Sequence, residues 1–502
     1  MKSLTKNMVM SIIARIVTMI TGLLVQQRIL LAYGSSLNGL TSAITQVMSY
    51  LVLLEAGLGL ASIQVLYNPL AQNDWKKISG IVSATGHEYK KISAAFFALL
   101  GAAAVLLPLV VADEVEFAVA ALLTLITGGS YIVSYIIGGK YKVVLNADRK
   151  LYVLNALDII TTLLSTVARI WLLSSGYSIV VVQGANLLCT GLKNVAYIVY
   201  VRKKYDKIDY KAKPDYGAVS KRWNVLVHNL AGLVVNHTDI MILTLFGSLK
   251  VVSVYSVYNM VYSQLSTTIQ TTFLSAPQSN FGRLFHHDRD KFNDAYAMFE
   301  FVVTVFLFIV VTIAVLMTLP FVSIYTHGVE DVQYISFWLP IMFALILMLN
   351  QIRIPAVMTI NVSGDFKETQ KGAIFEAVIN LTVSLFLYFF TSLGLYGLLI
   401  GTVCSYLYRT ADVIVYTYRN ILKCSISGFV KLLMVNTACC VILFCFFYIW
   451  HPLQASTIGE WCLLACGIGI LTVLLYIAVN YVFNRVLFCR CLQIVKNKMI
   501  RK

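Results

Sequence analysis

Charge is scarce in this sequence. Only 12% of its 502 residues are Asp, Glu, Lys or Arg, about half the share of a soluble domain, while 59% are hydrophobic and the mean hydropathy is +0.79. Acidic residues are the scarcer sign, 23 against 39 basic. A water-soluble core-and-shell fold is excluded, because a surface so poor in charge could not be solvated. There is no G-x-x-x-x-G-K-[ST] phosphate loop and no stretch polar enough for a nucleotide-binding domain, which argues against an ATP-driven pump. The cysteines cluster after residue 400, mostly inside apolar runs (Cys404, Cys439, Cys440, Cys445, Cys462, Cys466), and read as packing residues rather than disulfides or metal ligands.

Long apolar runs are what the chain has instead. About fourteen stretches of roughly 20 residues follow one another, from 8–31 and 41–66 through 117–139, 223–246 and 250–275 to 461–484, each enough to cross a bilayer as a helix. The expected fold is all-α and polytopic. The first run is span-length and lacks a small-residue cleavage site, so it reads as a retained helix.

The +16 formal charge alternates with the runs. Lys76, Lys77, Lys90 and Lys91 follow the second, Lys140, Lys142, Arg149 and Lys150 the fourth, and Arg202, Lys203, Lys204, Lys207, Lys211 and Lys213 the sixth. The opposite connections carry Asp113, Glu114, Glu116, Glu330, Asp331 and Glu460, with Lys250 as the one basic exception. By the positive-inside rule both termini are expected in the cytoplasm and the protein in the cell membrane. The charge is therefore a topology signal and implies no nucleic-acid partner.

The basic connection 202–222 divides the first twelve runs into six and six, giving expected lobes at 1–201 and 223–418 and two added helices with a basic tail in 419–502. The lobes echo each other. "YGSSLNGLTSAITQVMSYL" from Tyr33 and "FGSLKVVSVYSVYNMVYSQL" from Phe246, 213 residues on, both place aromatic-Gly-Ser between a lobe's first two runs, as expected for parallel repeats.

Polar residues inside the runs form stripes. At about 100° per residue, His228, Asn229, Gly232, Asn236 and Asp239 share one side of their helix, and Ser11, Arg15, Thr18, Gly22 and Gln26 share one side of the first. Such stripes either satisfy one another between packed helices or line a cavity. Depth favours the cavity: Arg15 lies about 10 Å and Asp239 about 24 Å along their runs, where an ionisable group in lipid is expensive. Glu55, Asp158, Arg169 and Arg353 are further interior charges, whereas Lys193 is expected to snorkel to the interface and Arg409 to pair locally with Asp412. Interior guanidinium groups suit a multivalent oxyanion through paired hydrogen bonds, and hydroxyls and amides such as Ser11, Gln26, Asn229 and Asn236 suit sugar hydroxyls.

Three segments carry a resemblance. They are "LLEAGLGLASIQVLYNPLAQNDWKKI" (53–78), "NHTDIMILTLFGSLKVVSVYSVYNMV" (236–261) and "SGDFKETQKGAIFEAVINLTVSLFL" (363–387). In this order, with twelve core runs and two additions, the chain resembles the Wzx-like polysaccharide and oligosaccharide flippases of the multidrug/oligosaccharidyl-lipid/polysaccharide exporter superfamily. The resemblance implies two six-helix lobes around a central cavity, and a polyprenyl-pyrophosphate-linked oligosaccharide moved to the outer leaflet by alternating access for cell-surface polysaccharide biosynthesis. It implies a substrate-binding role for Arg15 and Arg28, with Gln26, Asn229, Asn236, Arg169 and Arg353 as further candidates. Glu55, Asp158, His228 and Asp239 are candidates for the cavity or for proton or sodium coupling. No cofactor is implied; membrane lipids and polysaccharide-synthesis enzymes are the expected partners. The alternative is a cation-coupled multidrug exporter on the same scaffold, which would use Glu55, Asp158 and Asp239. A membrane enzyme is disfavoured because the outer connections are short, "HPLQASTIGEW" among them.

Overall fold

The structure, a computed structural model, describes residues 2–55, 57–216, 238–275, 277–450 and 453–500. All regular secondary structure among them is helical. In chain order the helices are α1 (Lys2–Leu51), α2 (Leu58–Gln72), α3 (Trp75–Val110), α4 (Phe117–Val133), α5 (Gly139–Ala147), α6 (Leu151–Ser174), α7 (Ile179–Lys204), α8 (238–246) and α9 (Leu249–Gln270). They continue as α10 (Gln278–His287), α11 (Arg289–Tyr325), α12 (Trp338–Ile352), α13 (Ile354–Ser363), α14 (Phe366–Phe390), α15 (Leu395–Tyr416), α16 (Ser427–Phe444), α17 (Ile458–Phe483) and α18 (Arg485–Ile500). The chain is an all-α, multi-pass membrane protein.

Eleven helical stretches among the described residues are long and apolar enough to cross a membrane, against the fourteen runs expected. Three points account for the difference. The runs 8–31 and 41–66 share the one stretch Val9–Glu55, but Gly34 (φ 79°, ψ −177°) is non-helical and divides it into two helices, as two runs predict; a further break follows at Gly57 (φ 88°). Most of 223–246 lies outside the described residues. Lastly, α9 is too polar: Ser263, Thr267, Thr268, Thr271 and Thr272 are all exposed along α9 and the π-turn after it. Four of these threonines donate to the carbonyl four residues earlier, which lets a helix carry hydroxyls where lipid or a cavity adjoins it.

The chain packs as two compact units. The first comprises Met1–Val254 with Gly328–Val332; the second comprises Tyr255–His327 with Gln333–Lys502. In the first, α1 and α6 run parallel and are laddered together. Asn7 bonds the Arg149 carbonyl and the Tyr152 amide, each at 2.9 Å, Asn155 donates to Ser11 at 2.8 Å, and the Tyr33 hydroxyl reaches the Tyr177 carbonyl. Three of the four offsets are 144–145 residues (152 − 7, 155 − 11, 177 − 33) and the fourth, at the first turn, is 142 (149 − 7), so the two helices keep nearly constant register. Two apolar cores flank them, one on Leu58, Ile78, Tyr89, Val144 and Tyr197, the other on Ile29, Ile44, Phe96, Leu123 and Val182.

In the second unit, buried polar side chains join the last helices to α11. Asn436 and Asn480 exchange amide hydrogen bonds at 3.3 and 2.8 Å, and the Thr312 hydroxyl pairs with that of Tyr476 at 2.9 Å. One local device recurs in both units. Asp74 caps α3 by accepting from the Lys77 amide and Asp288 caps α11 by accepting from the Lys291 amide, both at 3.1 Å and 214 residues apart.

Helices α14 and α15 touch backbone to backbone at Gly401, where a Cβ would stand 2.2 Å from Ser384 Oγ and 2.6 Å from its nitrogen. Gly401→Ala is expected to lower stability by about 1–3 kcal/mol. Thermal unfolding in detergent would read this as a reduced midpoint; an unchanged midpoint would show that the two helices can separate freely.

Candidate functional site

The α1–α6 register sets the depth of the interior arginines. Residue 28 of α1 lies level with residue 172 of α6 (28 + 144), so Arg28 and Arg169 differ by three residues, on the order of 5 Å in depth. Arg15 falls level with residue 159, near Asp158, about three turns nearer the amino terminus. Arg28 is exposed. Arg169 is partly buried, donates to the neutral Gln183 at 3.3 Å, and keeps its Nε buried without a partner. Neither forms an ion pair among the described residues. The register thus sets two guanidinium groups at similar depth on adjacent helices. Gln26, two residues before Arg28 and so about 200° round the helix from it, donates to Asn38 at 3.2 Å.

Deeper in the first unit a second group of charges converges. The Tyr89 hydroxyl donates to Glu55 at 2.9 Å; Asp158 accepts from Tyr197 at 3.0 Å and pairs with Lys193 at 3.0 Å. Lys142 lies within electrostatic reach of Glu55, Asp158 and Lys193, with its Nζ 5.6 Å from the Tyr197 ring. A π-helical turn, Ser134–Gly138, between α4 and α5 makes this convergence possible. Its extra residue per turn brings the Gly138–Gly139 backbone against Asn194 and Tyr89, where a Cβ would come within 1.9 Å of the Asn194 carbonyl oxygen and 2.8 Å of the Tyr89 ring.

Two sequence expectations change here. Lys193 does not snorkel; it is committed to Asp158. Lys142, counted with a cytoplasmic loop, sits on a helix that continues to Ala147 and faces inward. Its three-residue distance from the end of the apolar run hid it, and only the partner helices reveal it. Asp239 is buried beside Tyr50, which hydrogen-bonds Thr238. The candidates His228, Asn229 and Asn236 lie outside the described residues.

The second unit holds a different arrangement. Arg353 donates to Glu376 at 2.9 Å and to Asn350 at 3.0 Å and stands 5.2 Å from the Tyr406 ring centre. Arg409 approaches the other Glu376 oxygen at 3.6 Å and bonds Asp412 at 2.6 Å and the Thr369 carbonyl at 3.1 Å. The local Arg409–Asp412 pair is present as expected, but within a four-charge network that is balanced and largely buried. Arg353 therefore has its charge matched by Glu376 rather than presented to a ligand.

No protein-family model matches the chain, and no curated protein matches it in sequence. Its fold is shared with solved transporters. The lipid II flippase MurJ, in an inward closed conformation, is similar at TM-score 0.68 and 16% identity, over 96% of this chain and 99% of that one. An inward-facing multidrug-resistance MATE transporter of the MOP superfamily is similar at TM-score 0.60 and 15% identity, over 85% of this chain and 98% of that one. A MOP-superfamily transporter from Pyrococcus furiosus, described as having a binding pocket of reverse polarity, is similar at TM-score 0.55 and 15% identity, over 84% and 97%. At these identities the likeness shows the fold.

Removing one member of the buried second-unit network strands the other. Arg353→Ala is expected to destabilise the protein by about 3–5 kcal/mol, and Arg353→Met with Glu376→Met to recover most of that loss. Thermal unfolding of the single and double variants would decide; equal loss in both would mean that packing, not charge, holds these helices.

Proposed function

We propose that the protein is a Wzx-like flippase that carries polyprenyl-pyrophosphate-linked oligosaccharides from the cytoplasmic to the outer leaflet by alternating access. The observation that carries this reading is the level pair of Arg28 and Arg169, cations without carboxylate partners on the laddered helices α1 and α6. A pyrophosphate has two linked anionic groups, and planar guanidinium donors bind each with paired, charge-assisted hydrogen bonds. Arg15, Gln26, Asn229 and Asn236 complete the proposed route, and Arg353, paired with Glu376, steadies the second unit. The lipid tail stays in the bilayer.

In this reading both termini are cytoplasmic, the lobes are 1–201 and 223–418 joined by 202–222, and the helices after 419 are additions. Glu55, Asp158, Lys142 and Lys193 form the proposed coupling centre, because a balanced set of two carboxylates and two lysines gains net charge when one proton or sodium ion enters. Asp239 and His228 are further candidates for that role. The similar fold of the lipid II flippase MurJ supports a lipid-linked cargo, and the MATE likeness supports the competing drug-exporter reading.

The test is transfer of a labelled lipid-linked oligosaccharide headgroup from the protected to the accessible face of sealed liposomes. Arg28→Ala with Arg169→Ala is expected to slow transfer by about 10- to 100-fold, the worth of one or two charge-assisted bonds. Transfer at the wild-type rate would remove both arginines from the site. No transfer by folded wild type with several polyprenyl donors, together with ion-driven uptake of a cationic drug, would establish the exporter instead.

A further inference from the structure

At the Gly34 kink of α1, two acidic residues perform the same task in mirrored positions. Gly34 kinks α1, and the Ser35 that follows donates both its amide (2.8 Å) and its hydroxyl (2.6 Å) to the Asp331 carboxylate. At the start of α9, the Leu249 amide donates to Glu114 at 2.7 Å, and the other oxygen of Glu114 accepts from the Ser36 hydroxyl at 3.3 Å. Both capped residues lie at the recurring aromatic-Gly-Ser junction: Ser35 is the serine of the copy at Tyr33, and Leu249 directly follows the copy at Phe246. The two caps correspond as well. Glu114 stands between α3 and α4 and Asp331 between α11 and α12, 217 residues apart (331 − 114).

The caps are crossed. Glu114 belongs to the first sequence half and holds a helix start in the second; Asp331 belongs to the second and holds a helix start in the first. Between them the first turn of α9 is seated directly on α1. A Cβ at Gly39 would stand 1.8 Å from the Leu249 carbonyl oxygen, and Asn38 donates to Ser253 at 2.6 Å, both side chains fully buried. Lys250, the basic exception among the outer connections, donates to the Asp331 carbonyl at 3.3 Å and so ties the same turn to the segment that caps α1.

A carboxylate on the amides that open a helix is favoured by charge-assisted hydrogen bonds and by the helix dipole. Because each cap reaches across, α1 and the start of α9 cannot part without breaking both. We infer that Glu114 and Asp331 form a crossed latch that holds α1 and the start of α9 together within the first unit, and that its release opens a route between these two helices toward the outer leaflet. The inference rests on the transport reading for what passes, and on the charge pattern for which side this junction faces. Glu114 and Asp331 are positioning residues in it: they set the balance of closed and open states without touching cargo.

The experiment places a reporter at the seam. Ser253→Cys in right-side-out vesicles is treated with a membrane-impermeant maleimide, with the parent protein as the measure of labelling at native cysteines. The reporter is expected to be protected. Glu114→Ala and Asp331→Ala should each raise its labelling rate about fivefold, the worth of one helix cap, and the pair about 25-fold, since two contributions to one equilibrium multiply. Should the alanine pair not fold, Glu114→Gln with Asp331→Asn keeps the shape and drops the charge, and a rise of about two- to fivefold is expected. A reporter equally protected in the folded double variant, or released by one substitution and indifferent to the other, overturns the latch. Lipid-linked oligosaccharide transfer is read on the same vesicles. Wild-type transfer with an unresponsive reporter sinks the latch alone; a responsive reporter without transfer sinks the flippase reading and leaves the latch standing.

Discussion

A chain surrounded by hydrocarbon has nowhere to send a polar group except to another part of itself, and every feature described above follows from that constraint. The helices satisfy their own backbones. Their side-chain charges then have three outcomes: a partner of opposite sign, a turn toward an aqueous route, or a position at the ends where water and helix termini are available. Glu376 with Arg353 and Arg409 shows the first, and Glu114 and Asp331, on the amides of helix starts, the third.

The same constraint divides labour between the two compact units. In the second unit Arg353, Arg409, Glu376 and Asp412 balance within one network, the buried Glu300 carboxylate accepts from the Tyr296 and Tyr418 hydroxyls, and amide and hydroxyl pairs between α11, α16 and α17 add no net charge. In the first unit the balance is local around Asp158 and Lys193, while Arg28 and Arg169 are left without carboxylates among the described residues. Guanidinium charge without a carboxylate partner is thus carried by the unit whose α1–α6 ladder keeps those two arginines at similar depth.

Much of this was legible in advance for a simple reason: hydropathy and charge alternation are properties of consecutive residues. The apolar runs, the all-α architecture and the pairing of Arg409 with Asp412 three residues away needed no knowledge of neighbours. Glycine placement was equally informative, since the Gly34 junction flagged by the repeat is where α1 kinks and is capped. Less legible was whether a given charge is matched. Arg353 and Arg169 look alike as single arginines in apolar runs, yet one meets a carboxylate 23 residues on and the other meets Gln183.

Sequence by itself determined that the chain is helical and membrane-spanning, where its charge lies and which residues are too costly to leave in lipid, because those follow from composition within a window of about 20 residues. Tertiary structure alone decided the pairings: Lys193 with Asp158, Arg353 with Glu376, Ser35 with Asp331 across 296 residues of chain. The reason is geometric. Electrostatic energy depends on separation in space, and a folded bundle brings together residues whose separation along the chain carries no record of it.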